Sequence, residues 1–308
     1  MDTPLTFWIA FIAAVMVLAA LDLFLFNRSP RQITIREAAL WSGFWVVLST
    51  VFGIAIWRWK GNAKAVEFFT GYLLEYSLSV DNLFVFMVIF NYFAVPAGVQ
   101  RRVLFWGIIG ALICRGTMIG LGAVLINHFN WVLYVFGAFL IFTGFKMLGD
   151  KGAKVDPEKN PILKFCRAWL PISKDYDGGK FITRSGARRL FTPLMLVLIV
   201  IETTDIVFAV DSIPAVFAVT KDAFIVFTSN ICAVLGLRAL YFLLVGAMRD
   251  FIYLPLGLGV ILIYIGAKMF TDDVLDIPNT ASLIIIVIIL AGAIFASLRK
   301  PAAANHHS

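Results

Sequence analysis

Two stretches of the chain place acids where acids are costly. Glu202-Thr-Thr-Asp205-Ile-Val-Phe-Ala-Val-Asp211-Ser212-Ile-Pro214-Ala215 sets three carboxylates inside an apolar run from about Pro193 to Val219. Glu75-Tyr-Ser-Leu-Ser-Val-Asp81-Asn82 repeats its pattern: an acid, a second acid six positions on, then an amide where the other stretch has a hydroxyl. Each run is long enough to cross a bilayer, which takes about 20 apolar residues. An acid at mid-helix costs about 2.5–3.5 kcal/mol on insertion scales, so such residues normally face a polar cavity and mark an ion path or a proton relay.

Counting charge sharpens the point. Glu75, Asp81, Glu202, Asp205 and Asp211 carry five negative charges, whereas Arg115 and Arg238, deep in two other apolar runs, supply two positive ones. The imbalance needs protons or a cation to offset it, and a divalent metal with one proton would do so. Static ion pairing alone does not, because two arginines cannot neutralise five acids. The donors available are all oxygen: carboxylates, the Asn82 amide, the Ser212 hydroxyl and any freed backbone carbonyl. With no Cys or His in reach, zinc and copper are disfavoured, and magnesium, calcium and manganese remain. Pro214 cannot donate to the carbonyl of Val210, so that oxygen is a ligand or a bend in the helix. Residues six apart on a regular helix point about 120° apart and differ by about 9 Å in height. Glu75 and Asp81 therefore cannot share one ion without unwinding, nor can Asp205 and Asp211. The simpler arrangement pairs Asp81 with Asp211 and leaves Glu75, Glu202 and Asp205 as second sites or proton carriers. Asp22, near the inner end of the first run, belongs either to the pathway or to the surface.

The elements that must hold these residues are membrane helices. The chain of 308 residues is 61% hydrophobic and 15% charged, with a mean hydropathy of +0.90. Uncharged apolar runs fill most of its length, which makes it all-α and polytopic. Nine spans are expected: Leu5–Phe26, Ala38–Trp57, Phe68–Phe90, Val103–Ile126, Trp131–Leu148, Pro193–Val219, Phe224–Ala247, Tyr253–Phe270 and Ala281–Leu298. The first lacks a basic leader and a small-residue cleavage site and reads as a retained span. The net charge of +7 does not imply nucleic acid, because the basic residues sit in the loops. Cys114, Cys166 and Cys232 show no metal spacing and read as packing residues or free thiols.

Basic residues also set the orientation. With the N-terminus outside, eighteen Lys and Arg fall on inner segments and four (Arg58, Lys60, Lys64 and Lys221) on outer ones. The C-terminus is then cytoplasmic. The segment 150–192 is a cytoplasmic loop, in which Ile162–Leu170 suits a short amphipathic helix. Phe181–Thr183 and Leu190–Thr192 flank a turn as a small hairpin would.

The acid pattern is one end of a longer internal repeat. Arg115 follows the first acid pair and Arg238 the second; Lys146 follows Arg115 by 31 residues in Gly144-Phe-Lys146-Met, and Lys268 follows Arg238 by 30 in Gly266-Ala-Lys268-Met. Both lysines lie near span ends, where they can snorkel to headgroups. Spans three to five (61–149) and six to eight (193–271) are thus two copies of one unit, with 1–60 before them and 272–308 after. Three spans per copy is odd, so the copies are inverted, a transporter architecture with its site at the repeat interface.

At these residues the sequence resembles the TerC family of integral membrane proteins, close to its alkaline-induced Alx branch. The resemblance is carried by Gly71 to Asn82, Val95 to Val103, Thr192 to Leu198, Glu202 to Phe217, Thr228-Ser-Asn230 and Leu235 to Phe242, and it runs from the first span to the last. It implies export of manganese across a bacterial inner membrane, with the intramembrane acids handling the ion and proton exchange as the drive. It implies no enzyme and no organic cofactor. A calcium/proton exchanger and a membrane scaffold or assembly factor are the competing expectations. An aspartyl protease is disfavoured because Asp205 and Asp211 follow Thr204 and Val210 rather than a glycine loop.

Overall fold

A computed structural model describes residues 3–26, 34–129, 131–149, 161–173, 175–185, 188–245, 253–271 and 277–299. Among the described residues the regular structure is helical except for one hairpin. In order it runs α1 (Leu5–Phe26), α2 (Ile35–Lys60), α3 (Asn62–Tyr92), α4 (Ala97–His128), α5 (Trp131–Gly149), α6 (Pro161–Trp169), β1 (Ile182–Ser185), β2 (Arg188–Phe191), α7 (Pro193–Phe217), α8 (Ala223–Leu244), α9 (Leu254–Thr271) and α10 (Asn279–Arg299). Eight of these are long and apolar enough to cross a membrane, and α1 carries a shorter apolar stretch, Leu5–Leu21. As far as they are described, the nine expected spans fall on helices, several of which extend a turn or more beyond the apolar run; the end of the seventh, at Ala247, lies outside the described residues. The protein is a polytopic all-α membrane protein.

The residues gather into two compact units. One comprises Met1–Thr34, Asn82–Cys114 and Lys154–Phe208, and the other Ile35–Asp81, Arg115–Ala153 and Ala209–Ser308. Helices α3, α4 and α7 contribute residues to both.

In the second unit α8 is nearly wholly buried. Helix α2 packs on it, and its buried residues Ala38, Ser42, Trp45, Ser49, Gly53 and Ile56 recur every three or four positions and so share one helical face. Gly61, at φ +90°, ends α2 and turns the chain into α3, a conformation for which glycine suffers no side-chain clash. Asp222 caps α8, accepting from the amides of Phe224 and Ile225 and from Lys60 Nζ at 2.7 Å. Helices α5 and α9 run antiparallel with glycines at their contact. A Cβ on Gly144 would lie 2.6 Å from the Gly259 carbonyl oxygen, and one on Gly266 would lie 2.6 Å from that of Gly137. Helix α10 lies on α9 through Ser282, Ile286, Leu290, Ala293 and Ser297. The opposite faces are apolar and exposed, as at Phe142, Phe145, Ile284 and Ile288, which is how lipid-facing helices look.

The first unit holds the segment between α5 and α7. Helix α6 and the hairpin form where the sequence places them, with Ile182 opposite Phe191 and Ser185 opposite Arg188. Tyr176 donates to the Phe93 carbonyl at 2.6 Å, and Arg167 donates to Tyr92, so the segment is tied to the junction of α3 and α4. Asp177 accepts from Lys180 and Thr183, and these bonds hold its carboxyl below the usual carboxylate range. Burial raises the Tyr176 hydroxyl above its ordinary value.

Candidate functional site

Glu75 lies in the middle of α3, fully buried, and its carboxylate is surrounded by donors from three helices. Arg115 of α4 forms an ion pair with Oε1, Ser79 one turn along α3 donates to the same oxygen at 3.4 Å, and Asn230 of α8 donates to Oε2 at 2.8 Å. Arg115 also reaches Asn230 Oδ1 at 3.4 Å, closing the ring. All four side chains have essentially no exposure. A charge pair so far from water persists only when its remaining lone pairs and protons are satisfied, and Ser79 and Asn230 supply that.

Asp211, on α7, stands differently. It is half-buried, and Oδ1 accepts from Thr143 of α5 at 3.1 Å, with Lys146 close enough to act on it electrostatically. The next residue, Ser212, is 1% exposed, and its hydroxyl finds no hydrogen-bond partner among the described residues. Buried polar atoms are almost always partnered, so an orphan beside a carboxylate marks a place for a ligand oxygen or ion. Pro214 sits inside α7 two residues on, so the helix lacks one ladder bond there. Asp81 lies on α3 in this unit, and its side chain is outside the described residues. Arg238 is buried on α8.

Glu202, Asp205 and Asn82 belong to the first unit. Asp205 and Asn82 are buried and Glu202 is half-buried. Gly110 of α4 lies so close to the Glu202 carboxylate that any Cβ there would collide with it. The absent side chain thus makes room for an acid between α4 and α7. Asp22 falls on α1, and its side chain is outside the described residues.

The structure therefore brings Glu75 together with Arg115 and sets Asp211 beside Ser212. Among the described residues no three His, Cys, Asp or Glu side chains converge on one point. Six-residue spacing on unbroken helices keeps Glu75 and Asp211 from sharing positions with their sequence neighbours. Sequence reading left out Thr143 and named Asn230 only within a family motif, without a place in the site. An amide in an apolar span was a usable signal for Asn230; a threonine offers little, since several in this protein satisfy themselves on carbonyls of their own helix. Lys268 differs from its expectation too. It is 6% exposed and donates to Asn279 at 2.8 Å rather than reaching for headgroups, because α10 covers the end of α9.

The family model described as "Integral membrane protein TerC family" matches residues 60–305. "Uncharacterized membrane protein STKORF319" of Myxococcus xanthus is 47% identical over 294 residues, covering 95% of this chain and 92% of its own length. "Putative membrane-bound redox modulator Alx" of Escherichia coli strain K12 is 46% identical over 290 residues, covering 91% and 90%. A membrane protein of Rickettsia felis is 40% identical over 97% of this chain and 99% of its own. No solved structure matches.

Proposed function

The chain belongs to the TerC family of integral membrane proteins, and from that premise we propose that it exports manganese from the cytoplasm in exchange for protons, using carboxylates within its spans. The observation that carries the reading is the contrast between its buried acids. Glu75 is neutralised by its own arginine, whereas Asp211 has a threonine for its hydrogen-bond partner and an orphan hydroxyl, Ser212, beside it. An all-oxygen set of this kind suits a hard divalent ion, with manganese as the cargo and calcium as the competitor.

The inverted repeat is part of the same proposal. Aligning Gly144 with Gly266 makes Gly137 the counterpart of Gly259. Exchanging the copies then turns the contact of Gly137 with Gly266 into that of Gly259 with Gly144, and both are present. A pseudo-twofold axis between α5 and α9 accounts for that reciprocity. The orientation, N-terminus outside and C-terminus cytoplasmic in a bacterial inner membrane, rests on the distribution of Lys and Arg. The redox role in the name of the Alx relatives is theirs; in this chain all three cysteines are free and two are buried.

Expression in a manganese-sensitive bacterial strain tests the reading, with cell-associated metals measured together. Growth in excess manganese should recover and manganese content should fall. Lowered calcium with unchanged manganese moves the assignment to calcium, and no change in any metal turns it toward a scaffold.

A further inference from the structure

The segment between α5 and α7 presents a face that the acids in the spans do not use. Helix α6 buries Leu163 and Cys166, three positions apart and so on one side. On another side Phe165 and Trp169, four positions apart, stack with ring centroids 5.8 Å apart and stand 62% and 75% exposed. The residues after α6 join it to the hairpin. The Pro171 carbonyl accepts from the Phe191 amide at 2.9 Å, and the Phe191 carbonyl accepts from the Ser173 amide at 2.8 Å. On that hairpin Arg184 stands directly opposite Arg189, both exposed, and Ile182 shares their face, 47% exposed. Among the described residues neither arginine forms an ion pair.

We propose that this face lies on the membrane surface and binds anionic phospholipid, with Phe165 and Trp169 in the interfacial layer and Arg184 and Arg189 on headgroup phosphates. Two features ask for such a partner. Like charges directly opposite on a hairpin are unfavourable, and an anion lying over both removes the repulsion. Two large rings held side by side in water forgo the burial that makes aromatic side chains stabilising. The place of the segment selects lipid as the occupant. Tyr176 and Arg167 bond to Phe93 and Tyr92, and Arg102 lies over the Phe181 ring, so the segment is held at the end of α3 and the start of α4. Those are the ends of two membrane helices, where the headgroup layer begins. Aromatic rings on one side and Lys and Arg on another are what a helix lying in that layer carries, and Lys164 and Arg167 give α6 its basic side. Charge agrees with this. Residues 150–192 hold ten Lys and Arg against five Asp and Glu, and in the orientation proposed above they face the anionic cytoplasmic leaflet. The inference goes beyond the export reading and does not need it.

The test uses the full chain in vesicles of mixed phosphatidylcholine and phosphatidylglycerol, with bromines, which quench indole fluorescence, on the acyl chains of one lipid or the other. Subtracting the emission of Trp169→Phe from that of the parent isolates Trp169 from the other tryptophans. Bromines should quench it, and more strongly on phosphatidylglycerol than on phosphatidylcholine at equal mole fraction. Arg184→Gln combined with Arg189→Gln should abolish that preference while quenching persists and the thermal midpoint does not fall. Raised salt should weaken the preference in the parent. Trp169 emission that bromines leave untouched overturns the docking. Quenching that fades as protein is added at fixed lipid gives the face to a second copy of the chain and overturns it as well. Equal quenching by the two lipids in the parent overturns the role of the arginines. Manganese flux in the same vesicles reports on export separately, so the loss of either reading leaves the other standing.

Discussion

Glu75 and Asp211 are both acids placed on membrane helices, and their neighbours divide their work. Glu75 sits in a closed ring with Arg115 and Asn230, so removing one member strands a buried charge. Arg115→Leu should cost about 3–5 kcal/mol, seen as a large fall in thermal midpoint in detergent. Glu75→Gln together with Arg115→Leu should recover much of that, and a double variant as unstable as the single would show that the pair is not what the ring protects. Asp211→Asn should behave in the opposite way. It removes a costly charge from a span, so insertion and expression should hold or improve, while transport disappears. Calorimetry giving parental manganese affinity in Asp211→Asn would move the binding site to Glu202 and Asp205. At this scale the sequence was legible where charge was unusual. Every acid and both arginines stand out in an apolar run, and their excess of negative charge was countable. What it concealed was partnership: which acid the arginine takes, the amide that completes the ring, and the covering of Lys268 by α10. Those depend on which helices are neighbours, and nothing in the one-dimensional pattern states that.

The helices and the hairpin were legible in place, because apolar length, proline and glycine act locally, but not in their ends: α3 and α4 each begin six residues before the apolar run. The packing order was not, and the glycines that recur at matching positions in the two copies were no exception until the structure showed what they touch. In the structure those glycines form the contact between α5 and α9, and their distances fall into two classes. A Cβ at Gly144 or Gly266 would come within 2.6 Å of a carbonyl oxygen, and one at Gly137 or Gly259 only within 3.1 and 3.0 Å. Backbone oxygens cannot rotate away as a side-chain tip would, so the first class forces the helices apart. Gly144→Ala and Gly266→Ala should therefore each destabilise by about 1–3 kcal/mol, in the range of overpacking, and Gly137→Ala and Gly259→Ala by less. Thermal unfolding of the four proteins checks this. The informative comparison is within classes: equal losses at Gly144 and Gly266 are what an inverted repeat requires, and a loss at only one would make the sequence correspondence a coincidence of composition.

For the whole molecule the proposed export raises the question of what would drive a doubly charged ion outward. The groups that could couple such movement to protons are the carboxylates in and near its spans. Carboxylates withdrawn from water and set among other acids bind protons more readily than free ones, since both burial and like charge favour the neutral form. An acid that loses its metal on the outer side is then ready to take a proton there and carry it inward, which returns the site empty of metal and less charged. Exchange of this kind fixes a direction. In vesicles with the membrane voltage clamped, manganese should move faster toward the side made more acidic, and reversing the pH gradient should reverse the preference. Asp211→Asn should flatten both responses, because in the proposed exchange one residue both binds the ion and carries the proton. The pH change inside the vesicles should run counter to the metal and stop when manganese is withheld. Flux that proceeds at one rate whatever the gradient would make the protein a passive manganese pathway, and the acids would then be ligands that never exchange a proton.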